Sequence, residues 1–165
     1  MDGLATLLAA LRESAVPTAV RESEWLFPAI ETVHVLALIL VVGTIGRLDL
    51  RLLGVGDRSQ SVASLTRALL PWTWSCFAVA LVTGTLMFSS EAVKYAANVF
   101  FLAKMGLLVL AGINMLAFQL GSGRDLGHWT AGVSPPRGAR LAGGISLLTW
   151  IGVVVAGRWI GYTMH

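Results

Sequence analysis

A single cysteine, Cys76, excludes an intrachain disulfide and any multi-cysteine metal centre. Charge is scarce as well: Asp, Glu, Lys and Arg make up 13% of the 165 residues, against roughly 25% in soluble domains. The chain also lacks a glycine-rich phosphate loop, a nucleophile–base arrangement and a catalytic-type cluster of carboxylates. The motifs therefore name no reaction, and they lean against an enzyme without deciding the question. No basic cluster precedes the first apolar residues, which argues against a cleaved signal peptide and leaves targeting to the first membrane span.

What remains is apolar. Hydrophobic residues reach 56% and mean hydropathy is +0.75. The expectation is an all-α integral membrane protein, one transmembrane domain over residues 1–165 built as a four-helix bundle. The apolar runs place spans at about 27–46, 70–88, 99–120 and 140–163. Leu4, Leu7, Leu8 and Leu11 recur at helical spacing, so a short amphipathic helix over about 4–15 is predicted to lie along the membrane surface, with Pro17 ending it. Trp25, Phe27 and Pro28 mark a helix entering lipid, and Pro71-Trp72-Thr73-Trp74 reads as the first turn of the second span. Gly54 to Asp57, and the stretch holding Gly121, Gly123, Pro135 and Pro136, read as connecting loops.

The net charge of +3 and pI near 9.6 come largely from arginines in two loops, and read as topology signals rather than a nucleic-acid surface. Arg47, Arg51, Arg58 and Arg67 flank the first loop, and Arg124, Arg137 and Arg140 the second. Arg12, Arg21, Lys94, Lys104 and Arg158 belong to the other side. Basic residues are retained in the cytoplasm, so both termini are predicted to be periplasmic in a bacterial inner membrane. Asp49 and Arg51 read as solvated anchors where the first span leaves the bilayer.

Four ionisable residues fall inside the apolar runs: Glu31, His34, Lys104 and Arg158. Each charge at membrane depth costs about 2.5 to 3.5 kcal/mol on insertion scales, so partners, water or a purpose are required. Helical rise puts all four in the outer third, with Glu31 and His34 on one helix face. The structural reading is that Lys104 and Arg158 snorkel to the headgroups and Glu31 pairs with one of them.

His34 has apolar neighbours on every side, and three functional readings compete for it. It could be an axial ligand to b-type haem, with Met87, Met105, Met115 or a second copy's histidine opposite. It could bind copper or another soft cation together with Met87, Met105, Met164 and His165. Or it could exchange protons with Glu31 while Lys104 and Arg158 hold an anion or a quinone headgroup. A proton path inward would use Thr83, Asn114, Ser146 or Thr149. The pair Glu31-x-x-His34 is half of a di-iron carboxylate site, and the other half is missing. Asn114 can also hydrogen-bond across helices, while Gly143, Gly144, Gly152 and the pair Gly157 and Gly161 permit close helix approach.

The run Trp25 to His34, the segment Leu48 to Gly54, and the pairs Pro71-Trp72 and Gly157-Arg158 resemble a family of small uncharacterised bacterial inner-membrane proteins of four spans. More loosely, the early membrane histidine is similar to the copper-resistance D family and to b-type cytochromes. The resemblance implies fold and location, and brings no activity with it. The expectation is an outer polar pocket around His34, with Glu31, Lys104, Arg158 and Asn114, that binds a redox cofactor or soft metal ion and supports electron transfer or ion passage. The alternative is a non-catalytic accessory or scaffold subunit of a larger membrane complex. Either way the bilayer is a partner, a homo-oligomer or larger complex is expected, and nucleic acid is not.

Overall fold

The structure is a computed structural model that describes residues 2–55, 60–121, 123–124 and 134–164. Its elements are α1 (Asp2–Arg12), α2 (Ala15–Glu22), α3 (Leu26–Leu52), α4 (Val62–Ser90), α5 (Ala92–Ala97), α6 (Val99–Leu120) and α7 (Arg137–Thr163). No strand occurs among the described residues. The helices α3, α4, α6 and α7 are long and apolar enough to cross a membrane. Leu81, Val82, Val109 and Leu148 are all more than 60% exposed on their outer faces. Exposed apolar faces of that extent are what a membrane-spanning bundle presents to lipid.

Both termini and α5 share one end of the bundle, here the terminal face, and the α3–α4 and α6–α7 connections share the loop face. Sequential helices pack as two antiparallel pairs, α3 with α4 and α6 with α7, and a seam between α3 and α7 joins them. The fourth edge is different: no Cα of α4 lies within 8 Å of one in α6 among the described residues. Val41, Trp150 and Val153 form the buried centre, with Val42, Ile45, Cys76, Phe77, Leu107, Leu108 and Ala111 packed around them.

Glycines set the tightest approaches. A Cβ on Gly143 would lie 2.9 Å from Leu52 Cβ and 3.0 Å from the Asp49 carbonyl oxygen, so α7 touches α3 backbone to backbone there. On Gly152 it would meet Leu107 Cδ1 at 3.0 Å, and on Gly161 nothing within 4 Å. Of the small-residue stripe, then, Gly143 and Gly152 make close approaches and Gly161 does not.

Two prolines take positions other than those the sequence led one to expect. Pro17 sits in the first turn of α2, a position that needs no amide hydrogen, and α1 has already ended at Arg12. Pro71 lies inside α4, which starts nine residues earlier at Val62 with the Ser61 hydroxyl accepting from the Ser64 amide. The amphipathic stretch before Pro71 thus continues straight into the span. The proline frees the carbonyl of Arg67, an exposed residue where water or headgroups can reach it.

Asp49 and Arg51 are not solvated: each is 4% exposed. The last turns of α3 remain wedged between α7 and the start of α4. There Ser146 hydrogen-bonds Asp49, and Arg51 Nε donates to the Gln60 carbonyl at 3.1 Å.

At the terminal face, α1 and α2 fold back over α4 and α5. Arg12 Nε lies 3.4 Å from Glu91 Oε2 and Lys94 Nζ 3.7 Å from the same oxygen, while Arg21 donates to the Arg12 carbonyl at 3.1 Å. Leu4, Leu7 and Leu11 stay exposed, the pattern of a helix lying in the interface. Asn98 caps α6, its Oδ1 accepting from the amides of Phe100 and Phe101 at 2.9 and 3.2 Å, while its Nδ2 donates to Thr163 Oγ1 at 2.7 Å. Asn98→Ala is expected to lower stability by about 1 kcal/mol, read as a lower thermal midpoint in detergent. An unchanged midpoint would show the cap to be idle.

Candidate functional site

His34 is half-buried on α3, its ring turned toward α4. Its Nδ1 lies 2.9 Å from Thr83 Oγ1. The Thr83 hydroxyl also lies 2.7 Å from the Val79 carbonyl one turn back, and it has one hydrogen to give. That hydrogen goes to the carbonyl, so Thr83 accepts from Nδ1–H. In the neutral imidazole this assigns the lone pair to Nε2. Hydrogen bonds of this kind, made by the ring nitrogen away from the ligand, orient histidines that accept protons or bind ligands.

Gly84 completes the cradle. A Cβ there would lie 3.0 Å from His34 Cε1 and 3.5 Å from Nδ1, so the ring lies flat where only glycine leaves space. Nothing in the sequence separates Gly84 from the other seventeen of its eighteen glycines, and sequence reasoning missed it. Thr83 is one of the hydroxyls proposed for a proton path, and it meets His34 directly.

Lys104 enters from α6. It is half-buried, and its Nζ lies 3.7 Å from where a Gly157 Cβ would be, so the ammonium sits between α6 and α7.

The expected ion pairs do not form. Among the described residues, neither Glu31 nor Lys104 nor Arg158 has an opposite charge within 4.0 Å; the ion pairs there are all at the α1–α2–α5 cap. Glu31 is exposed, one turn nearer the terminal face than His34. Arg158 is exposed and turns back on its own helix, donating to Tyr162 Oη at 3.2 Å with its guanidinium carbon 4.9 Å above that ring. Its guanidinium thus reaches along α7 toward the terminal face. Lys104 is instead a half-buried cation with no opposite charge within 4.0 Å among the described residues.

Above this layer the rings of Phe88 on α4, Tyr95 on α5 and Phe101 on α6 close together. Phe88 and Phe101 stack at 5.2 Å, and Tyr95 lies 6.2 and 5.4 Å from them. Burial, followed by the charges of Glu31 and Glu91, raises the Tyr95 phenol above its ordinary range, so it stays a neutral hydroxyl.

The remaining candidates lie apart. Asn114 sits ten residues further along α6, about 15 Å from Lys104, and donates to the Ala142 carbonyl of α7 at 2.9 Å, so it joins two helices. Thr149 donates to its own helix at Ile145, and Ser146 meets Asp49 at the loop face. Between them and His34 stands the apolar centre of Val41, Trp150 and Val153, so these groups do not line up as a path. Met87 and Met105 are half-buried, one a turn beyond Thr83 and the other next to Lys104. His128 and His165 lie outside the described residues. No group of three or more His, Cys, Asp or Glu is close enough to hold a metal ion among the described residues. Two surface grooves, of about 470 and 380 Å³, lie elsewhere, at Asn98 and Met164 and at Ala63 to Trp74.

A family of unknown function, DUF6644, matches residues 27–163. The chain belongs to that family. The match takes in the four long helices and every residue of the His34–Lys104 layer, while α1 and α2 fall outside it. No curated protein and no solved structure matches the chain. The DUF6644 match thus brings no activity with it, and chemistry has to be argued from the layer itself.

Proposed function

We propose that this protein is a multi-pass protein of the bacterial inner membrane, termini outward, that binds the headgroup of a quinone between His34 and Lys104 and so supports electron transfer. One observation carries the reading: Lys104 is a half-buried cation with no opposite charge within 4.0 Å among the described residues, in the same outer layer as a histidine whose Nε2 is left with a lone pair. A quinone has an oxygen at each end of its ring. Lys104 would donate to one carbonyl and hold the negative charge that grows there on reduction, and Nε2 would accept the hydroxyl of the reduced form at the other.

The same pair argues against the other ligands. A metal cation beside an uncompensated ammonium is repelled, and the three-ligand group it needs is missing among the described residues. Haem requires a second axial ligand, which within this layer would have to be a methionine or a second copy's His34. A pure scaffold would leave the desolvation of Lys104 without return.

Extraction of the protein purified in mild detergent, followed by chromatography, tests the reading. A stoichiometric quinone is expected. Thr83→Val, equal in shape but unable to accept from Nδ1–H, should weaken binding of a short-chain quinone about fivefold, the worth of one hydrogen bond. Protein that carries no quinone and binds none when it is added would end the proposal. A Soret band that disappears in His34→Ala would replace it with haem.

A further inference from the structure

We propose that the ligand reaches His34 and Lys104 sideways from the lipid, through the edge between α4 and α6, under a lid formed by Phe88, Tyr95 and Phe101. This rests on the quinone reading, and it specifies the ligand further: a headgroup on a lipid-soluble tail, not a water-soluble anion.

Each other approach is walled off. Towards the loop face, Val41, Trp150 and Val153 pack with residues of all four long helices into an apolar plug. Towards the terminal face, the three rings close directly above the layer, and α1 and α2 are fastened over α4 and α5 through Arg12 and Glu91. On two sides α3 packs along α4 and α6 along α7, and on a third α3 and α7 pack together, most tightly at Gly143 on the far side of the plug.

The edge between α4 and α6 has none of these seals. Their backbones nowhere come within 8 Å among the described residues, so side chains alone bridge it: the Phe88–Phe101 stack above, Phe77 and Leu108 at the core below. Side-chain rotation opens such a seam without moving a helix. The layer lies between these two bridges. Phe101 is one turn above Lys104, and Phe88 little more than one turn above Thr83. Neither of these two surface grooves reaches the layer.

Pinning the seam tests the route. Phe88→Cys and Phe101→Cys, in a Cys76→Ala background, would be joined by a short thiol-cleavable cross-linker, because Cα atoms more than 8 Å apart are beyond disulfide reach. With the linker in place, exchange of bound quinone for added labelled quinone is expected to slow about tenfold or more, and cleavage should restore the rate. In an independent variant, Phe101→Ala removes one half of the stack and should speed exchange. Exchange at the same rate with and without the linker, or an unaltered rate in Phe101→Ala, would overturn the lateral route while leaving the binding site standing. Failure of the unmodified protein to hold any quinone would instead remove the functional reading, and the route with it.

Discussion

Lys104→Met is expected to weaken quinone binding by about 10- to 100-fold while leaving the bundle at least as stable as before. The two effects have opposite signs because the lysine costs the fold and serves the ligand. Its ammonium sits between α6 and α7 beside Gly157, with no carboxylate within 4.0 Å among the described residues to offset its lost hydration. Methionine keeps the length of the side chain and removes the desolvation, so the thermal midpoint should hold or rise. Binding should fall, because a charge-assisted hydrogen bond in a dry site has no substitute. A snorkelling lysine would behave differently, since its replacement would leave ligand titrations unchanged. Titration of Lys104→Met with a short-chain quinone, beside its melting curve, separates the cases; undiminished affinity would remove Lys104 from the site.

Gly143→Val should have the largest effect on stability. Even the first added carbon would sit 2.9 Å from Leu52 Cβ and 3.0 Å from a backbone oxygen of α3, and a backbone atom cannot rotate away. Overpacking of this kind costs about 1 to 3 kcal/mol, and valine brings two more methyl groups to the same contact. The seam that joins the two helix pairs would have to widen. Gly161→Ala is the matched control, because its new methyl group meets nothing within 4 Å. The expectation is a sharply lower thermal midpoint in detergent for Gly143→Val and an unmoved one for Gly161→Ala. Equal midpoints would mean that the α3–α7 contact does not limit stability.

The helices were legible in the sequence because lipid imposes a simple rule, a long apolar run with aromatics and proline at its entry, as at Trp25 and Pro28. Side-chain partners obey no such rule. Glu31 and Lys104 lie at similar depth with opposite charge, which is why pairing was expected, but depth does not give the direction a residue faces around its helix. Glu31 is exposed, whereas Lys104 is half-buried against Gly157 of α7. Asp49 and Arg51 looked solvated because they follow the apolar run, yet α3 stays packed beyond its end, and that depends on contacts with Ser146 and Gln60 far along the chain. His34 was visible as an isolated polar residue in an apolar helix. Its cradle was not, because Gly84 owes its meaning to a ring arriving from another helix.

The way the helices pair also sets an order in time. α3 packs on α4 and α6 on α7, so each hairpin can close as soon as its second helix leaves the ribosome, with little chain entropy lost in between. The seam between α3 and α7 joins the first long helix to the last and must wait for synthesis to finish. Gly143, at its tightest point, therefore sits where assembly ends, and a bulkier residue there would leave two well-formed halves that fail to meet.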